Sequence, residues 1–178
     1  MRFFIPTVLV LFFVVPVFLP NKMVVSQEQT LPESRRNVYS KLVDLESWRT
    51  WGLWLLGQNN QEVTFEGTPG LVGSRLYGKG PGNLSGKITL TELTEPEKIV
   101  AQTQAQAFWP AEFEIQVLLS EQDQSTTWIK LTATAILTYP LQRYMGILKK
   151  DEFNHLLKQS LGRLAWDFEQ ERREQEHF

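Results

Sequence analysis

Histidine is the first residue type to test for chemistry, because its side chain titrates near neutral pH. The chain contains two histidines. His177 lies in the charged C-terminal tail, and His155 lies about 160° around the helical wheel from the apolar stripe of its predicted helix. Both are therefore predicted to face solvent, and neither is a candidate general base.

The carboxylates and glycines offer no better reactive group. Glu112 and Glu114 occupy the polar side of an alternating strand, and neither metal-ligand spacing nor a G-x-S-x-G elbow occurs. The loop Gly78–Gly82 lies between two strands with no helix start behind it, so we interpret it as a hairpin turn. We predict no catalytic residue, no metal ligand and no cofactor. An enzyme could still use Arg75 or Tyr77, which share one strand face.

The bulk composition narrows the class of protein. A chain of 178 residues with 42% hydrophobic residues and a net charge of -2 is typical of one folded domain plus an extra segment. The absence of cysteine excludes disulfides, thiolate catalysis and zinc sites built from cysteine. No basic stripe is present, so nucleic acid is not an expected partner.

The N-terminus carries the strongest hydrophobic signal. Phe3–Leu19 is apolar except for Thr7, and as a helix it would reach about 26 Å, the short end of a membrane span. No A-x-A cleavage site follows, which favours an uncleaved anchor over a signal peptide. We expect a transmembrane anchor or signal segment over residues 1–21. We also expect a single-pass membrane localisation, with the domain 22–178 exported to a periplasmic or extracytoplasmic compartment.

A long C-terminal helix is the element that the other elements must hold. From Lys149 to about Gln170 an apolar stripe recurs at helical spacing and must be buried against another element. The stripe consists of Phe153, Leu157, Leu161, Leu164 and Phe168. A period of two elsewhere predicts an antiparallel meander. The predicted strands are Met23–Leu31, Glu62–Glu66, Val72–Tyr77, Leu84–Leu93, Ile99–Ala107, Glu112–Ser120 and Thr126–Leu137.

One face of the predicted sheet carries small residues. The inward set of the fifth strand is Ile99, Ala101, Thr103, Ala105 and Ala107, and the last strand adds Ala133 and Ala135. Small residues either let the helix approach closely at normal packing density or leave an apolar cavity for a ligand. The sequence leaves both interpretations open.

Large aromatic side chains are concentrated shortly before the predicted strand Glu62–Glu66. Trp48, Trp51 and Trp54 are spaced by three, which places them loosely on one side of a short helix or turn. They form either a core plug at one end of the sheet or, for one or two of them, the mouth of a cavity. Farther on, Arg143 is interpreted as a surface cation rather than a lid residue.

Trp166 lies off the apolar stripe of the long helix. Helical side chains lean towards the N-terminus, so its indole is predicted to cover the turn at Gly162. We expect the absence of a side chain at Gly162 to give that ring room.

Several loose motifs, taken in order, resemble a known superfamily. They are Phe18-Leu19-Pro20, Asp44 with Trp48-x-x-Trp51-x-x-Trp54, Gly70 with Gly73 and Gly78, Gly86-x-Ile88, and Pro140-x-x-Arg143-x-x-Gly146. The chain resembles the SRPBCC superfamily (START-like, polyketide cyclase/dehydrase-type), in particular its bacterial membrane-anchored branch. The resemblance implies an α+β helix-grip fold, in which a curved antiparallel sheet wraps around the long C-terminal helix and encloses an apolar cavity. It supplies no shared catalytic motif.

Three functions are compatible with these features. The first is membrane-tethered binding or carriage of a hydrophobic small molecule or lipid in the cavity. The second is a cyclase- or dehydratase-like enzyme that uses the same cavity, and the third is a non-catalytic structural or interaction module. The predicted cavity lining is Trp51, Trp54, Tyr77, Ala105, Phe113, Ile115, Leu131, Ala133, Leu157 and Leu161.

Overall fold

A computed structural model describes residues 10–52, 62–79, 85–106 and 111–176. Its centre is a seven-stranded antiparallel sheet with the strand order β1-β7-β6-β5-β4-β3-β2. The strands are β1 (Lys22–Leu31), β2 (Glu62–Glu66), β3 (Arg75–Lys79), β4 (Ser85–Thr94), β5 (Lys98–Gln106), β6 (Ala111–Asp123) and β7 (Thr126–Ile136). The α+β helix-grip architecture is confirmed, because the long C-terminal helix lies against this sheet.

After β1, the described residues form the helices α1 (Arg35–Val43), α2 (Trp48–Trp51) and α3 (Leu141–Glu176). The side chain of Ser34 caps α1, since its Oγ accepts from the backbone N–H of Asn37 at 3.4 Å. The helix α3 begins at Leu141 rather than at the predicted Lys149. Pro140, immediately before it, cannot donate to a strand ladder and suits a helix start.

The loop before β3 makes that strand start later than predicted. Gly67, Gly70 and Gly73 all have positive φ, a conformation that L side chains rarely adopt. The Ser74 hydroxyl fixes the loop by donating to the carbonyls of Thr68 and Leu71. Residues 72–74 therefore precede the strand, and the predicted strand Val72–Tyr77 is wrong at its beginning, because β3 starts at Arg75.

Alternation correctly divides the sheet into two faces. The inner face, which packs against the helices, carries buried residues from each of the central strands, including Leu90, Ile99, Ile115 and Leu131. The outer face is polar, and there Gln102 bonds Glu114 while Gln104 bonds Glu112. His155 is also exposed, as predicted.

The predicted single-pass membrane localisation is wrong. Among the residues that the structure describes, no helix combines the length and hydropathy needed to cross a membrane. Residues 10–14 are helical, but the chain tightens into a 3₁₀ turn at Val15–Val17 and enters β1 at Lys22. Pro16 within that turn removes a backbone donor, which prevents a continuous α-helix there.

The predicted packing of Trp166 against Gly162 is also wrong. Trp166 is 59% exposed, and a Cβ built on Gly162 would meet no atom within 4 Å. Gly162 therefore does not make room for a packed indole. The long helix simply presents both residues to solvent at this point.

Candidate functional site

Register pairing aligns a continuous row of residues across the inner face of the sheet. Starting from β1, the paired residues are Met23, Ala135, Phe113, Thr103, Ile88 and Leu76. All six are buried. Five are apolar, so Thr103 is the one member of this row with a polar side chain.

The hydroxyl of Thr103 has no hydrogen-bond partner in the described part of the chain. The residue is 2% exposed, and its Oγ1 is closed to water. The other buried hydroxyls are paired: Thr127 donates to the carbonyl of Glu33, and Ser160 donates to that of Leu156. Because buried polar atoms are almost always paired, the Thr103 hydroxyl is an exception within the described residues.

The next row of the inner face is built from the smallest residues. Strand pairing places Ala111 opposite Ala105, Ala105 opposite Gly86, and Gly86 opposite Gly78. This row lies at the end of the sheet where β1 starts and β7 ends, which we call the open end. Alanine and glycine contribute little volume between a sheet and a helix, so this composition differs sharply from the row beside it.

The first half of α3 covers the open end. Phe153 is half-buried and stacks on Phe113, with the ring centroids 4.6 Å apart. Farther back, Gly146 lies so close to Leu137 that an added Cβ would be 2.3 Å from the leucine Cδ1. Leu157 and Leu161 point inward and are buried. Leu157 and Leu161 therefore belong to the packed part of the described interior, and the half-buried Phe153 lies at its edge.

The opposite end of the sheet, which we call the closed end, is plugged by tryptophan. Trp48 and Trp51 are fully buried, with ring centroids 4.9 Å apart. The indole N–H of Trp48 donates to the carbonyl of Leu42 at 2.7 Å. The short helix α2 that carries these rings packs against α3.

The structure brings together some of the predicted lining residues and separates others. Phe113, Ile115, Leu131, Ala133, Leu157 and Leu161 are buried between the sheet and α3. Ala105 occupies an inner-face position of β5. Trp51 lies in the plug at the closed end, and Tyr77 lies on the outer face, opposite Lys87. Trp54 lies outside the described residues.

Acid–base chemistry has little support in the described interior. The buried polar residues there are Ser74, Thr103, Thr127 and Ser160, none of which ionises near neutral pH. Burial, and secondarily the charge of Glu95, raises the pKa of Tyr39, so its phenol stays neutral. Among the described residues, no group of three histidine or carboxylate side chains could hold a metal ion.

A surface cleft of about 340 Å³ lies between α1, α2 and the end of α3. It is lined by polar and charged residues, and Lys41 forms an ion pair with Glu171 at 2.5 Å. The Thr50 hydroxyl donates to the Asp167 carboxylate at 2.7 Å. Because these groups already pair with one another, the cleft presents few free polar groups to a ligand.

Arg143 has a role that sequence reasoning missed. It is not a surface cation: its guanidinium donates to the carbonyls of Pro16 at 2.8 Å and Val17 at 3.4 Å. Tyr139 and Tyr144 donate to the carbonyls of Phe13 and Phe12. Three side chains around the start of α3 thus hold the leader segment, residues 10–21. The sequence shows the Tyr-Pro-x-x-Arg-Tyr motif that carries these donors. It does not show the acceptors, because they are main-chain carbonyls that every residue type has.

The fold closely matches several solved structures, although no protein-family model and no curated protein sequence matches this chain. A START superfamily protein from Mycobacterium smegmatis superposes with a TM-score of 0.61 at 16% identity, covering 83% of this chain and 98% of that one. Norcoclaurine synthase from Thalictrum flavum, solved with dopamine and hydroxybenzaldehyde, gives a TM-score of 0.60 at 11% identity, covering 86% and 92%. A protein of Chromobacterium violaceum gives 0.58 at 15% identity, covering 83% and 96%.

Proposed function

We propose that this chain, which has the START-like helix-grip fold of the SRPBCC superfamily, binds a hydrophobic small molecule between its sheet and α3. The row of alanine and glycine at the open end carries this proposal. Alanine and glycine have the least side-chain volume of all residue types, and the neighbouring row carries large buried residues such as Phe113, Ile88 and Leu76. Ligand sites in proteins are typically concave and mainly apolar, with a few placed polar groups.

We place the entry of the ligand at the first half of α3, where the Phe153 ring stacks on Phe113. Phe153 is half-buried whereas Leu157, Leu161 and Leu164 are fully buried, so displacing Phe153 exposes the least buried apolar surface of these four side chains. Displacement of the Phe153 ring from Phe113 opens the space over the small-residue row. The ligand then takes the place of that ring against the sheet.

Binding without a reaction is the function that the interior favours. One neighbour in fold, norcoclaurine synthase, is an enzyme, but a fold hosts many functions. Proton transfer by a side chain requires an ionisable group in contact with the substrate. The described inner face offers none, so a cyclase-like activity has no residue to assign.

The test is a pair of leucine substitutions on neighbouring residues of β4. Gly86→Leu adds a side chain to the inner face of the open end, and Lys87→Leu adds the same side chain to the outer face. Displacement of Nile red from the full-length chain reports binding, and thermal unfolding reports stability. We expect Gly86→Leu to lose at least tenfold in affinity, corresponding to about 1.4 kcal/mol, while remaining folded. Lys87→Leu should bind as the parent does.

Two results would contradict the proposal. If the parent chain binds no neutral apolar probe, the grip holds no ligand. If both leucine variants bind equally well, the ligand lies elsewhere on the molecule.

A further inference from the structure

Thr103 supplies a polar atom at the place where the proposed ligand would lie. It faces inward between Ile88 and Phe113, one row from Ala105 and Gly86 on the same face. Its hydroxyl is buried and unpartnered within the described residues. A hydroxyl offers one O–H donor and two acceptor lone pairs. A ligand body over the small-residue row therefore brings its end group within reach of this hydroxyl.

We infer that the ligand is neutral and carries one polar atom, such as a ketone, ester or alcohol oxygen, which pairs with the Thr103 hydroxyl. This inference rests on the proposed function and adds the chemical class of the ligand. The pairing converts an unsatisfied buried group into a satisfied one when the ligand binds. Thr103 thus acts as a specificity-determining residue.

The lack of charged residues among the described buried residues disfavours a ligand with an ionised end group. Among the described residues, the buried set contains no arginine, lysine, histidine, aspartate or glutamate. A carboxylate or ammonium group next to Thr103 would be desolvated without a counter-charge, which is far costlier than burying a neutral carbonyl. Fatty acids in their ionised form and amines are therefore poor ligands for this site.

The unpartnered hydroxyl also makes a prediction about the empty protein. Replacing Thr103 by valine removes the polar atom at nearly constant shape, and replacing an unsatisfied buried group by an apolar one is neutral or stabilising. The same change at Thr127 breaks a bond of 2.7 Å to the carbonyl of Glu33. Thr127→Val therefore serves as the matched control: both threonines are buried in the same sheet, but only one is paired.

The experiment compares three naphthalenes that differ in one group: 2-ethylnaphthalene, 2-acetylnaphthalene and 2-naphthoate. Their affinities for the full-length chain are measured by displacement of Nile red. We expect the ketone to bind about tenfold more tightly than the hydrocarbon, the upper range for a neutral hydrogen bond, and the carboxylate to bind most weakly. Thr103→Val should abolish the preference for the ketone, keep the affinity for the hydrocarbon, and hold or raise the melting temperature. Thr127→Val should lower the melting temperature and keep the preference.

The outcomes separate this inference from the function on which it rests. If the parent binds ketone and hydrocarbon equally, or if Thr103→Val keeps the preference, the Thr103 hydroxyl does not recognise the polar atom of the ligand. The domain would then still bind a hydrophobic ligand. If 2-naphthoate binds most tightly, the neutral class is wrong. If Thr103→Val lowers the melting temperature as Thr127→Val does, the hydroxyl is a structural group with a partner. If Nile red binds the parent but no naphthalene displaces it, this inference fails and the proposed function stands; if Nile red does not bind either, both fail together.

Discussion

The two ends of the sheet differ in the size and burial of the side chains that line them. At the closed end, α1, α2 and the second half of α3 bring together large side chains with no solvent exposure, among them Leu42, Trp48 and Leu164. At the open end, the sheet offers alanine and glycine, and the covering ring of Phe153 is only half-buried. The difference teaches where the large buried side chains are concentrated, and we expect the closed end to be locally the more stable of the two. Local stability follows the density of buried apolar contacts.

Truncating one aromatic ring at each end gives the largest test of this contrast. Trp48→Ala removes a fully buried indole and leaves the carbonyl of Leu42 without its donor. We expect a loss of about 3–5 kcal/mol in the free energy of unfolding. Phe153→Ala should cost only about 1–2 kcal/mol, because a half-buried ring removes less apolar surface from water. Urea denaturation of both variants measures the difference, and equal losses would show that the ends are equally packed.

Gly146→Ala tests how tightly the start of α3 is seated. An alanine Cβ would lie 2.3 Å from Cδ1 and 3.1 Å from Cδ2 of Leu137, which is itself buried. We expect destabilisation of about 1–3 kcal/mol, as for overpacked cores. In a Leu137→Ala background, where the obstructing side chain is gone, Gly146→Ala should cost less free energy of unfolding than it does in the parent chain. No loss in the single variant would mean that this part of α3 already shifts freely.

Gly162→Ala should have the smallest effect and the opposite sign. The added methyl group meets open space, and alanine is favoured over glycine in a helix interior by about 1 kcal/mol. The melting temperature should therefore rise with no change in Nile red affinity. A fall in melting temperature would indicate a close neighbour of α3 at this position and would weaken the distinction between the two ends.

The alternation of apolar and polar residues in the sequence predicted which face of the sheet each strand residue occupies. It placed Thr103 on the inner face and Glu112 on the outer face, because side chains of a strand alternate strictly. It failed where a contact depends on atoms distant in sequence. Whether the Thr103 hydroxyl has a partner depends on its neighbours on β4 and β6. Whether Gly162 faces open space depends on which elements pack against α3. The early start of α3 was missed because Gly146 weakens the helical signal.

The anchoring of the leader segment has a consequence for how this chain can evolve. Arg143, Tyr139 and Tyr144 bind main-chain carbonyls of the leader, and every residue type carries that oxygen. Substitutions between positions 10 and 19 therefore leave the acceptors in place, whereas loss of a donor removes a bond outright. Among related chains, the three donors should be retained while the leader drifts, so pairwise covariation would not reveal this contact.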